Sequence, residues 1–337
     1  MINTLIVDDS ALVRDILRDF LEGDKNFKII GEAADGEEAV QKILSLNPDL
    51  VTLDIEMPKM NGLEVIEEVM KKTSVPIVVI TSHDTAKNAY EATIRGALEF
   101  YSKEIFSASL SPARRQEIYE TLKRISSVKV RRPVSPGEQV LPKSPAKREI
   151  HAVVMASSTG GPKALSRFFS LLPDDFPVPI VIVQHNSSGF DKTFVQWLGT
   201  YTALNVKLAE DGEIPMSGTA YIAATDKHLE FRKADGQSCF CYGDGEPENN
   251  QKPAADVLFR SAAEIFKQSL VSVVLTGMGC DGALGTCKIR EMGGITLAQD
   301  EESSLIYGMP KAAAETGCVD IILPLERIPE ELVRLTK

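Results

Sequence analysis

A hydroxyl, an imidazole and a carboxylate stand where three apolar runs of the 337-residue chain end. "HAVVMA" runs into Ser157-Ser158, "PIVIVQ" into His185, and "VSVVLTGMGC" into Asp281. A serine hydroxyl is a weak nucleophile at neutral pH and needs a base within hydrogen-bond reach. Histidine, with an ordinary pKa of about 6.5, suits that task. A carboxylate fixes the imidazole tautomer and stabilises the imidazolium. The chemistry implied is nucleophilic catalysis by a base-activated serine. Four histidines are present. His83 lies in the first half, His151 begins its apolar run rather than ending it, and His228 falls in a hairpin region, which leaves His185 as the base. Of the two serines, Ser158 sits between Ala156 and Gly160, whereas Ser157 sits between Met155 and Thr159. A tight strand-to-helix turn around a nucleophile needs small residues two positions to either side, so Ser158 is the nucleophile and Ser157 a spacer. The loop "TGMGCDG" can offer backbone N–H groups to an oxyanion.

A second constellation occupies the first hundred residues. Asp8 and Asp9 follow one apolar run, Asp54 ends another, Thr81 a third, and Lys103 follows a fourth. Three carboxylates in one crevice repel one another unless a cation sits among them. Hard oxygen ligands suit Mg²⁺. A hydroxyl and a lysine opposite suit a phosphoryl group, so the implied chemistry is phosphoryl transfer onto a carboxylate.

Both constellations need parallel sheets, which gather function at the carboxyl ends of their strands. In the first half, "TLIV", "KIIGEA", "LVTLDI", "PIVVIT" and "LEFYS" alternate with helical patterns. One such pattern carries Leu12, Ile16 and Leu17, and "SPARRQEIYETLKRI" places Ile118, Leu122 and Ile125 on one face. The second half alternates in the same way and adds a hairpin signal at Asp235-Gly236. The fold class expected is α/β, with two doubly wound parallel-sheet domains: flavodoxin-like at 1–126, and Rossmann-like with a β-hairpin region at 150–337. Residues 127–149, rich in proline and charge and without periodicity, form a linker.

Composition narrows the function classes. The net charge of −11 argues against nucleic acid as the main partner. Residues 1–110 carry 20 acids against 11 bases, residues 111–149 carry 4 against 10, and residues 150–337 carry 24 against 16. A DNA-binding C-terminal half is disfavoured by that last balance. A nicotinamide-binding loop would need G-x-G-x-x-G after its strand, and only Gly160-Gly161 is present. No run of eighteen apolar residues predicts membrane insertion. The N-terminus reads as a strand rather than a signal peptide. Five cysteines, all within the last hundred residues, predict reduced thiols and a cytoplasmic protein. Cys239 and Cys241 lack a second ligand pair for a metal. Cys280 is a rival nucleophile, but it adjoins Asp281, and one of the two at most can face His185.

The motifs "LIVDDS", "LDIEMPKMNGLE", "VVITS" and "FYSK" resemble the receiver domain of bacterial response regulators. That resemblance implies phosphorylation at Asp54 and a Mg²⁺ pocket of Asp8, Asp9, Asp54 and the backbone carbonyl of Glu56. It also implies a switch role for Thr81 and Lys103. Glu104 stands where that family usually has proline. "SSTGGPKAL", "QHNSSGF", "AEDGE", "KPAADVLF", "LTGMGCDGALG" and "YGMPKAA" resemble the catalytic domain of chemotaxis protein-glutamate methylesterases. Carried over by position, Ser158 is the nucleophile, His185 the base, Asp281 its orienting acid and the Met278 N–H an oxyanion donor. The resemblance implies chemotaxis receptors as substrate, with methyl ester hydrolysis and glutamine deamidation. It further implies a chemotaxis histidine kinase as phosphodonor, a receiver that covers the site until phosphorylated, and no cofactor for the esterase. Ala156, Asn186-Ser187 and Cys280 depart from the family's usual Gly, Met-Pro and Asn.

Overall fold

A computed structural model describes residues 1–82, 86–106, 110–128, 149–186 and 189–337. The chain divides into two compact units, Met1–Arg132 and Pro133–Lys337. The expected linker falls almost wholly on residues 129–148, outside the described ones, as does His83.

The first unit runs β1 (Ile2–Val7), α1 (Ala11–Glu22), β2 (Phe27–Ala33), α2 (Gly36–Leu46), β3 (Leu50–Leu53), α3 (Gly62–Lys72), β4 (Ile77–Thr81), α4 (Ala86–Arg95), β5 (Glu99–Ser102) and α5 (Pro112–Ser126). The sheet order is β2-β1-β3-β4-β5, and every pairing is parallel. Strands β3 and β4 are buried along their whole length, as covering on both faces requires. Ile118, Leu122 and Ile125 are buried as expected. Helix α1 differs: its buried stripe is Leu17, Phe20 and Leu21, while Leu12 is 69% and Ile16 38% exposed. The apolar positions 12 and 16 lie one residue out of step with the stripe that faces the sheet.

The second unit runs β6 (Ala152–Ser157), α6 (Gly161–Leu171), β7 (Ile180–Gln184), α7 (Asp191–Leu198), β8 (Asn205–Leu208), β9 (Thr219–Ile222), the hairpin β10 (His228–Ala234) and β11 (Gln237–Gly243), and α8 (Ala255–Phe266). It continues through β12 (Leu270–Val274), α9 (Ala283–Glu291), β13 (Ile295–Gln299), α10 (Met309–Glu315), β14 (Ile321–Leu323) and α11 (Ile328–Thr336). Seven parallel strands lie in the order β14-β13-β12-β6-β7-β9-β8. The "TAYI" segment joins this sheet as β9, and the hairpin proper begins at His228. Its turn has φ 49° at Asp235 and 80° at Gly236, the left-handed pair that a two-residue hairpin loop demands. The hairpin packs through Phe231 and Phe240 into the core formed by α8 and one face of β6 and β7.

The expectation of reduced thiols fails at one pair. Cys287 of α9 and Cys318, beyond α10, form a disulfide with Cα atoms 5.0 Å apart, while Cys239, Cys241 and Cys280 are free. Residues 31 apart in sequence are brought together because α9 and α10 pack side by side. A link that closes a loop of this length typically contributes about 2–4 kcal/mol.

Candidate active site

Strand β6 has β7 on one side and β12 on the other, so the chain's winding reverses beside it. The crevice at the carboxyl ends of such strands is where open α/β sheets bind ligands. Ser158 leaves β6, His185 leaves β7, and the loop before Asp281 leaves β12, all at that rim.

The turn after β6 is built for close approach. The Ser158 carbonyl accepts from the Gly161 N–H (2.7 Å), and the Ser158 N–H donates to the Thr276 carbonyl (3.1 Å). The left-handed conformation falls on Gly160, φ 78°, and not on the serine. Ala156 lies in regular β6 between Val183 and Val274, so its Cβ costs nothing there. Gly277 lets the β12 loop approach Ser158 closely: a Cβ on it would stand 2.8 Å from that of Ser158. Among the described residues, neither the Ser158 hydroxyl nor the Met278 N–H has a hydrogen-bond partner.

His185 Nε2 meets Asp281 Oδ2 at 2.8 Å, with side chains 7% and 2% exposed. A carboxylate only accepts, so Nε2 carries the proton. His185 Nδ1 then holds the lone pair, and it is buried with no hydrogen-bond partner among the described residues. Asp281 is held by more than the imidazole. Its Oδ2 also accepts from the Ala255 N–H (2.6 Å). Its Oδ1 accepts from the N–H groups of Asp256 (3.0 Å) and Gly282 (3.0 Å) and from Asn249 Nδ2 (3.2 Å). Helix α8 has no side-chain cap of its own at Ala254. Asp281 supplies that cap from a distant loop, with its charge at the positive end of the helix. Burial alone would push the Asp281 carboxyl up, but His185 and the two helix N–H groups outweigh it and hold the group below the usual value. Cys280 is exposed, with its Sγ on Asn249 Oδ1 at 3.6 Å, and it makes no hydrogen bond to His185 among the described residues. His228 is structural: its Nδ1 accepts from the Ala254 N–H and its Nε2 donates to the Glu246 carbonyl.

Ser157 is more than the spacer its sequence position suggests. Ser157 is fully buried, and its hydroxyl donates to Gln184 Oε1 at 2.6 Å. Gln184, Asn249 and the α8 N-terminus went unseen in the sequence. A strand-terminal glutamine carries no motif, and a helix start capped from elsewhere lacks the Ser, Thr, Asp or Asn that would mark it. Asn186 follows His185 on the rim, and Ser187 lies outside the described residues.

In the first unit, Asp8, Asp9 and Asp54 offer carboxylate oxygens that all lie within 4.8 Å of one another. Asp8 and Asp54 are buried, Asp9 exposed. Lys103 Nζ stands 2.8 Å from Asp8 and 2.6 Å from Asp54. Thr81 ends β4 and is buried, and Glu56 follows Asp54 in the bend after β3. Gly62 begins α3, and a Cβ there would lie 2.2 Å from the Asp54 carbonyl oxygen, so the loop after Asp54 tolerates only glycine there. The capping box of Asn61 and Glu64 fixes that helix start. Burial pushes the Asp54 carboxyl up to about 6, Lys103 opposes the shift, and the Asp8 charge adds to it. A divalent cation among these oxygens would relieve that repulsion, so the donor set fits Mg²⁺.

The raised value has a measurable consequence. The folded pKa of Asp54 lies above the unfolded one of about 3.9. Its contribution to stability is therefore present below pH 4 and is lost as pH rises through 6. Asp54→Asn is expected to stabilise the first unit at pH 7.5 by about 2 kcal/mol in metal-free buffer, and by much less at pH 4. Thermal melts at the two pH values check this; an equal effect at both would show that the buried charge is not the cause.

A Ser, His and Asp at adjacent parallel strand ends, after a domain with a carboxylate cluster at its own strand ends, make a hydrolase of α/β fold with a receiver-type domain the class that fits. Comparison with known proteins carries this further. A family model for CheB methylesterase matches residues 153–332, and one for the response regulator receiver domain matches residues 4–113. A Pyrococcus abyssi protein named protein-glutamate methylesterase/protein-glutamine glutaminase is 40% identical over 99% of this chain and 93% of its own. A Thermotoga maritima protein of the same name is 38% identical over 99% of this chain and 98% of its own. The crystal structure of the Thermotoga maritima CheB methylesterase catalytic domain superimposes with a TM-score of 0.54 at 42% identity, covering 56% of this chain and all of that one. The chain belongs to the CheB methylesterase family.

Proposed function

We propose that this chain hydrolyses glutamyl methyl esters on chemotaxis receptors, releasing methanol and restoring glutamate, and deamidates receptor glutamines by the same route. Phosphorylation at Asp54 by a chemotaxis histidine kinase switches it on. The observation that carries the reading is the buried His185–Asp281 pair, whose free Nδ1 lies at the switch point beside the Ser158 turn.

Ser158 Oγ attacks the γ-carbonyl carbon, and His185 takes its proton on Nδ1. The Met278 N–H stabilises the oxyanion. Collapse breaks the C–O bond, and Nδ1 returns the proton to the leaving methoxide. Water, deprotonated by the same nitrogen, then attacks the acyl-enzyme, and Ser158 leaves with the proton. Asp281 keeps the ring in one tautomer throughout. An amide passes through the same acyl-enzyme and releases ammonia. The esterase step uses no cofactor.

Residues 1–126 act as receiver, 127–149 as linker and 150–337 as catalytic domain. Asp8, Asp9, Asp54 and the Glu56 carbonyl would hold Mg²⁺, which offsets the charge of the transferring phosphoryl group. Lys103 pairs with the phosphorylated Asp54, and Thr81 follows the phosphoryl oxygens. The unphosphorylated receiver covers the site, and phosphorylation releases it. The protein works in the cytoplasm on the receptors' cytoplasmic segments and inserts into no membrane; no helix of the described residues is long and apolar enough to cross one. It binds no nucleic acid.

Methanol release from methylated receptor membranes tests the reading. A small-molecule phosphodonor with Mg²⁺ is expected to raise the rate at least tenfold in the wild type and not at all in Asp54→Asn. Stimulation of that variant by the donor would overturn the switch.

A further inference from the structure

We propose that Gln184 is a positioning residue for this hydrolysis: its side-chain amide locks the nucleophile's turn to the base's loop. The ladder between β6 and β7 ends at Ser157 and Gln184. Beyond it, one backbone bond, His185 N–H to the Ser157 carbonyl (3.0 Å), links the two chains as they diverge. The Gln184 amide takes over there. Its Nε2 donates one hydrogen to the Ser158 carbonyl (3.1 Å) and the other to the His185 carbonyl (2.9 Å). Its Oε1 accepts from the Ser157 hydroxyl (2.6 Å). One planar group thus ties together the backbones of both reacting residues.

The amide has one orientation. Flipped, its oxygen would face two carbonyls and its nitrogen would lose both acceptors. Gln184 is 2% exposed, so water cannot replace a lost partner. The surrounding chain makes room for it: a Cβ on Gly161 would lie 2.0 Å from Gln184 Oε1. A second buried glutamine, Gln299 at the end of β13, makes no such direct link. Its amide joins the Thr276 N–H to Ser303 and touches neither Ser158 nor His185.

Because the clamp acts on the alignment of Oγ and Nδ1, and not on receptor contacts, its loss falls on kcat. A misplacement of about 1 Å between reacting groups can cost about 10²-fold. This inference rests on the reading of Ser158 and His185 as nucleophile and base.

The experiment assays methanol release by the full chain, activated with phosphodonor and Mg²⁺, from methylated receptor membranes. Gln184→Met, similar in length but without donors, is expected to lower kcat by about 10–100-fold with KM within threefold. Ser157→Ala leaves both donors in place but frees Oε1, and is expected to lower kcat by about threefold to tenfold. Ile321→Ala, in the edge strand β14, supplies a matched loss of melting temperature and is expected to keep kcat. The clamp is overturned if Gln184→Met keeps kcat within twofold, or if Ile321→Ala loses as much kcat at an equal loss of melting temperature. Should Gln184→Met fail to fold, Ser157→Ala decides, and an unchanged kcat in that variant overturns the proposal. Ser158→Ala separates the two readings. If it stays active, the nucleophile assignment fails; if it is inactive while Gln184→Met is fully active, only the clamp fails.

Discussion

Ser158→Ala is expected to lower methanol release by about 10⁵–10⁶-fold, the scale on which loss of a serine nucleophile registers in hydrolases. The structure makes this a clean experiment. The Ser158 hydroxyl has no hydrogen-bond partner among the described residues, so removing it leaves nothing unsatisfied. The melting curve should stay within the ±0.5 kcal/mol or so of a neutral substitution. The neighbouring serine behaves in the opposite way: Ser157 is buried and bonded, so truncation there costs stability but far less rate. Activity within tenfold of wild type in Ser158→Ala would remove the acyl-enzyme route altogether.

Asp281→Asn is expected to cost both rate and stability. Loss of the carboxylate that fixes a catalytic histidine's tautomer lowers kcat by about 10⁴-fold in the best-studied serine hydrolases. Here the same carboxylate also accepts from three backbone N–H groups and from Asn249. An asparagine amide has one oxygen, and its NH₂ would face donors, leaving at least one buried group unpaired at about 1–3 kcal/mol. The pH dependence carries a signature. The folded pKa of Asp281 lies below the unfolded one, so its stabilisation is present above about pH 4 and is lost as pH falls through the folded value. Melts of the second unit between pH 7 and pH 3 should therefore be less acid-sensitive in the variant. Equal acid sensitivity would mean that Asp281 is not the helix's anion.

Much of this was legible in the sequence. Apolar runs alternating with helical patterns announce parallel sheets, and reactive residues at run ends announce the rims. Asp235-Gly236 gave the hairpin turn because only a few residue pairs tolerate two left-handed positions. Strands β8 and β14, of four and three residues, are too short to stand out in the sequence, and β13 ends at no residue of the Ser-His-Asp constellation. The disulfide escaped because five scattered cysteines say nothing of pairing until α9 and α10 are packed. The grip on Asp281 escaped for a deeper reason. Three of its donors are backbone N–H groups, which every residue but proline carries, so only the fold reveals which ones converge. Gln184 belongs to the same class, since its role lies in which carbonyls it reaches.

The order of the two units along the chain sets a sequence in time. Helix α5, the last element of the first sheet's domain, closes at Ser126, whereas Asp281, the orienting acid of the proposed mechanism, comes 155 residues later. At a synthesis rate of about 5–20 residues per second, roughly 8–30 s of translation separate them. The receiver's sheet has every strand it needs long before Asp281 leaves the ribosome. The esterase half of a nascent chain therefore emerges after the receiver half is able to fold.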